Sequence, residues 1–206
     1  MRRRYALAVF LMVALSAETA TAHAQSGPQP GSAEYQVYEA VLGLIDHIPA
    51  PDPHVTIYDT TLNSLCGEAA YPAPLANGCT FLWMKPDTPA TIEQMLRQDY
   101  PDLDSSTWAD FVTKNAASVR LHEPIVTPWK HELVGVGGNP SKEFENPDIT
   151  LFLSRVGFNQ TGTEAVVYVL TFSYLKQLST EGDYFVFRKE KSGRWEPHDR
   201  LTYFTK

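Results

Sequence analysis

The chain has 206 residues, with 24 acidic against 17 basic side chains and a net charge of −7. No basic run exceeds three residues, and the one that reaches three lies at the very start, so clustered cations for nucleic acid or an anionic membrane are missing from the body of the chain. That balance excludes both as partners, and the length suits one domain with a sizeable core.

Arg2, Arg3 and Arg4 open the sequence, an apolar run from Tyr5 to Leu15 follows, and small residues lead to Ala22-His23-Ala24. This order predicts a secretory signal peptide over residues 1–24, cut after Ala24, because the apolar run is well short of the roughly 20 residues that span a bilayer. The expected product is exported, periplasmic or secreted, with no membrane anchor after cleavage. Residues 25–31 are rich in Pro, Gly, Ser and Gln and predict a disordered leader, and residues 32–206 form the single α+β domain.

Ser32 can cap a helix in which Val37, Val41, Leu44 and Ile48 recur at helical spacing, widened by Tyr38, Leu42 and Ile45. Pro49, Pro51 and Pro53 end it, and His54–Tyr58 predicts a short strand. Cys66 and Cys79, with 12 residues between them, predict a disulfide in an oxidising compartment. Such a loop would restrict the unfolded chain by on the order of 3 kcal/mol. Thr80–Met84 is a short apolar piece without a clear assignment.

Thr88-Pro89 predicts a helix start, with Ile92, Met95 and Leu96 as its stripe. Asp104 or Ser105 caps a second helix that turns Trp108, Phe111 and Val112 one way. The pair can form a hairpin over one face of a sheet. Between Leu121 and Phe144 only Leu133–Val136 is strand-like. Gly135-Val-Gly-Gly138 runs into Asn139-Pro140 rather than Lys-Ser/Thr, so it reads as an ordinary loop and not a phosphate cradle.

From Ile149 onward the pattern predicts an antiparallel meander. Ile149 to Phe158 is apolar on both alternating sets, as befits a central strand covered on both faces. Asn159–Thr163 is the turn, Ala165–Tyr174 the next strand, and Tyr184–Arg188 a third. Lys191-Ser-Gly193 makes a hairpin turn before Trp195. The expected whole is α+β: a curved antiparallel sheet with an N-terminal helix and a helical hairpin packed on it.

Ser154-Arg-Val-Gly-Phe-Asn159, followed by Gly162, Ala165-Val-Val-Tyr-Val169 and Gly193-Arg-Trp195, resembles a group of uncharacterised exported bacterial proteins. They share an S-R-V-G-F-N strand, an A-x-x-Y-V strand and a later G-x-W. Asp110-Phe-Val-Thr-Lys-Asn115 is similar to a D-F-x-x-K-N helix of that group. Where the group carries a Gly- and Cys-rich stretch, this chain has Ser173–Thr180 instead. The resemblance implies no activity and no cofactor.

Chemistry-bearing patterns are sparse. His47, His54, His122, His131 and His198 do not pair at i, i+4, so no metal site is expected. No G-x-S-x-G is present, and Ser154 lies inside a strand. The pairs Asp102/Asp104 and Glu143/Glu145 read as caps and loop charges. Tyr174, Trp129 and Tyr203 read as core or as cover for long loops, with a binding cleft as the alternative.

Arg155 stands out, because a guanidinium among apolar strand neighbours must find carboxylates or a ligand. Its expected partner is Glu164 or Asp183, with contact to an anionic ligand as the alternative. The functional expectation is a non-catalytic exported protein that binds a small ligand or an envelope partner. The alternative is a small enzyme with a polar cavity between helices and sheet.

Overall fold

The computed structural model describes residues 30–45, 53–62, 88–122, 124–135, 147–173 and 179–205. The expected signal peptide, residues 25–29 of the expected leader, His47, Cys66 and Cys79, Thr80–Met84, Gly137-Gly138, Glu143/Glu145 and Tyr174 lie outside them.

Helix α1 spans Ser32–Leu42, and its cap is Gly31, whose carbonyl accepts the Glu34 N–H, rather than the Ser32 side chain. Ser32 is thus the first helical residue. The helix stops at Gly43, where the poor helix propensity of glycine ends the periodic face six residues before the prolines. Strand β1 is Val55–Tyr58. Helix α2, Pro89–Asp99, starts as its Thr-Pro signal dictates: the Thr88 hydroxyl accepts the Thr91 N–H at 3.2 Å. Helix α3, Ser105–Lys114, is capped by Asp104, which accepts the Ser106 N–H at 2.8 Å.

Six strands follow: β2 His131–Val134, β3 Ile149–Leu153, β4 Gly157–Phe158, β5 Glu164–Ser173, β6 Ser179–Lys189 and β7 Trp195–Thr205. The sheet order is β2-β1-β3-β5-β6-β7, with β4 pairing β5. From β3 to β7 the pairing is antiparallel, as the alternation and turns predict, with positive φ at Gly162 and Gly193. The sheet as a whole is mixed, however, because β1 runs parallel to both β2 and β3. Parallel neighbours need long crossovers, and the chain between β1 and β2 supplies one through α2 and α3. Apolar periodicity carries no direction, so the expectation of a purely antiparallel sheet had nothing to correct it.

The predicted central strand is broken in two. Five residues from Leu153 to Gly157 face four on β5, from Val169 back to Val166, so one extra residue is inserted around Ser154–Val156. The insertion flips the alternation: Phe152 faces one way, while Leu153, Val156 and Phe158 all join the other side.

Helices cover both faces of the sheet. On one, Tyr35, Val37, Tyr38, Val41 and Leu42 of α1 pack on Leu151, Leu153, Val167, Val169, Phe185 and Phe187. On the other, Ile92, Leu96, Trp108 and Phe111 of α2 and α3 pack on Phe152, Val166, Tyr168, Leu170, Tyr184 and Val186. The result is three layers, with the β3–β4 insertion between them.

Candidate functional site

The inserted link is where the polar interior concentrates. Its backbone groups fall out of the sheet ladder, and side chains take over their hydrogen bonds. Ser154 Oγ accepts the Tyr168 N–H at 2.8 Å and donates to the Arg155 carbonyl at 2.9 Å. Asn115, at the end of α3, accepts the Arg155 N–H at 2.7 Å and donates to its carbonyl at 3.0 Å. Lys114 donates to the Val156 carbonyl at 3.1 Å.

The Arg155 side chain turns toward α1. Its Nε and Nη2 donate to the two oxygens of Glu34 at 3.0 and 2.6 Å, a bidentate pair in which both residues are only 3% exposed. Glu34 Oε2 also accepts the Val156 N–H at 3.3 Å, and Tyr38 donates to the Ser154 carbonyl at 3.0 Å. Burial, then the charge of Glu34, push the Tyr38 phenol well above its ordinary range. Burial by itself would lower the Arg155 pKa, but the hydrogen bond and charge of Glu34 outweigh it and raise it.

This corrects the partner expected for Arg155. Glu164 is engaged elsewhere, accepting the Asp104 N–H at 2.9 Å and the Thr107 hydroxyl at 2.7 Å. Asp183 takes Arg200 at 2.9 Å. Glu34 was missed because an acid in a first helical turn ordinarily complements the helix dipole from solvent. A signal was available: Glu34 stands four and seven residues before Tyr38 and Val41, on the buried face. Arg155 therefore joins three layers, and its fork is filled from within the chain.

Elsewhere, the buried Asp59 and the half-buried Asp110 are also tied across elements. Asp59, after β1, holds Arg120 at 2.5 Å. Asp110 of α3 accepts the Phe158 N–H at 2.8 Å and pairs with Lys114 at 2.8 Å. His131 shares a 2.9 Å hydrogen bond with Thr127, and burial lowers its pKa. His198 packs edge-on against Tyr100. Among the described residues no three His, Cys, Asp or Glu side chains come together as a metal-binding group. Tyr203 is buried in the α2–α3 core, and Trp129 packs partly buried against the α1 core.

Open concave surface lies where α1 meets β7. One groove of about 360 Å³ is lined by Gln36, Glu39 and Ala40 of α1 and by Gly193, Arg194 and Trp195. A second, of about 270 Å³, is lined by Leu44, Phe185, Pro197, His198, Asp199 and Arg200. The first lies beside α1 and the start of β7, the second beside Leu44 just past α1 and residues further along β7, and the two together are termed the trough. No signal in the sequence pointed to it, because it joins residues some 150 positions apart. No protein-family model matches the chain, and no curated protein matches it.

Proposed function

We propose that this chain is an exported, non-catalytic binding protein whose contact surface is the trough between α1 and β7. The observation that carries the reading is the division of polar groups. The buried ionic side chains Glu34, Asp59, Arg155 and Glu164 tie one element to another, whereas the open concave surface bears mixed charges beside Ala40, Trp195, Leu44 and Pro197. A rigid floor with a mixed polar and apolar rim suits recognition. An enzyme of the rival kind would need nucleophile and base to converge in a cavity between helices and sheet, and Arg155 at that place is occupied by Glu34.

Export, a disulfide between Cys66 and Cys79, and kinship with the S-R-V-G-F-N group belong to the same reading. An acidic chain with an N-terminal signal and a disulfide suits the bacterial envelope. The test is a pull-down from the exported fraction with the wild-type protein and with Ala40→Arg and Leu44→Arg, which fill the two grooves; Leu44 is exposed, whereas Ala40 packs half-buried against the α1 core, so that variant is first shown to keep the wild-type melting temperature. A partner or ligand retained by the wild type and lost by either variant supports the reading. Equal recovery on all three would show that the trough is not the contact surface.

A further inference from the structure

The second groove has a more definite chemistry than the first. Its floor is the Phe185 ring, and the Arg200 guanidinium lies over that ring at 5.5 Å. Arg200 Nη2 bridges two carboxylates, Glu181 at 2.7 Å and Asp183 at 2.9 Å. The fold has therefore already built a seat for a guanidinium: an aromatic face below and carboxylate oxygens beside it.

That seat is under-filled. Two carboxylates, Glu181 and Asp183, face the single Arg200 guanidinium, whose side chain is half exposed. Asp183 is only 3% exposed, and its Oδ1 accepts no hydrogen bond. A buried carboxylate oxygen without a donor is among the least favourable groups a protein can keep, so it marks where a further donor is worth most. Asp183 and Phe185 share one face of β6, and Leu44 and Pro197 add an apolar wall.

Resting on the binding reading above, we propose that this end of the trough takes an organic cation, an alkylammonium or alkylguanidinium. Its charged end seats against Asp183 and Glu181, and its aliphatic stem lies along Leu44, Phe185 and Pro197. Arg200 gives way on the exposed side, where an ion pair parts at little cost. The cation can be a free amine or a Lys or Arg side chain of a protein partner.

The experiment is thermal-shift and calorimetric titration of the full-length chain with agmatine, cadaverine and a capped Lys/Arg peptide, with glutarate as the anionic control. Saturable stabilisation by the cations and none by glutarate is expected. Asp183→Asn should weaken binding by at least about tenfold, since it removes the charge the ligand pairs with. Leu44→Arg, at an exposed position, should abolish binding without lowering the melting temperature of the free protein. Tighter binding of the peptide than of agmatine assigns the cation to a partner's side chain, and the reverse order to a free amine.

Absence of saturable binding by every cation, or equal binding in both variants, overturns the inference. If in that case the pull-down still depends on Ala40 or Leu44, the binding reading stands and only the ligand class is wrong.

Discussion

Arg155 and Glu34 show how the value of one residue depends on its partner. Taking two charges out of water costs several kcal/mol each, and the bidentate geometry with the Val156 N–H offsets that cost only while both partners are present. Arg155→Met strands the Glu34 carboxylate, so it should destabilise the fold by about 3–5 kcal/mol in urea unfolding. Glu34→Leu combined with Arg155→Met should recover most of that loss. A single Arg155→Met that kept wild-type stability would remove the structural role assigned to the pair. Gly157 is equally constrained, since a Cβ there would collide with the backbone and Cβ of Phe111. Gly157→Ala should cost about 1–3 kcal/mol by forcing β4 and α3 apart, and a variant with an unchanged denaturation midpoint would contradict that contact.

His131 gives a prediction in pH. Burial lowers its folded pKa below the value of about 6.5 in the unfolded chain, so the unfolded state binds the proton first on acidification. Its contribution to stability is therefore complete above that unfolded value and is lost as pH falls toward the folded pKa. Replacing His131 with Gln should flatten the dependence of unfolding free energy on pH in that window. Matching slopes for variant and wild type would mean that His131 does not titrate on folding. Of these residues only Arg155 was conspicuous in the sequence, as a cation in an apolar run. Glu34 and Gly157 gain their meaning from neighbours 121 and 46 positions away.

At the scale of elements, helix starts are set by local signals, whereas strand direction is not. Thr88-Pro89 and Asp104 start their helices because capping is decided within three residues of chain. The hairpin at Gly193 follows from one positive φ. The central strand broke at Ser154–Val156 because its two apolar sets allow either phase, and only pairing with β5 reveals the extra residue. Asn115 is the device that holds this break to α3, with hydrogen bonds to both the N–H and the carbonyl of Arg155. Asn115→Ala leaves both buried groups without those partners and should cost about 2–4 kcal/mol. Hydrogen exchange should then speed up at Arg155, while the α1 amides keep their protection. Protection unchanged at Arg155 would show that the link does not depend on Asn115.

For the whole molecule, three layers follow from a sheet that is apolar on both sides. Such a sheet must be covered twice, and α1 and the α2–α3 pair divide the task. The edge strand β7 carries Pro197, two register shifts and the charges of Glu196, Asp199 and Arg200, features that discourage pairing with another strand. On the proposed reading of an exported protein, the mature chain should begin at Gln25 and carry no free thiol, which intact-mass measurement with and without alkylation checks. Reduction should lower stability by on the order of 3 kcal/mol, and two alkylated thiols in the untreated protein would refute the bridge.

The sequence alone determined the α+β class, the caps of α2 and α3, the antiparallel run from β3 to β7, and the two-sided burial of its centre. These depend on residues close in the chain, or on alternation that any register must respect. Tertiary structure decided the parallel pairing of β1, the phase change at Ser154–Val156, the choice of Glu34 over Glu164 and Asp183, and the trough between α1 and β7. Each of those is a meeting of distant segments, and the free energy of such a meeting depends on which desolvated groups find partners once the whole chain has closed around them.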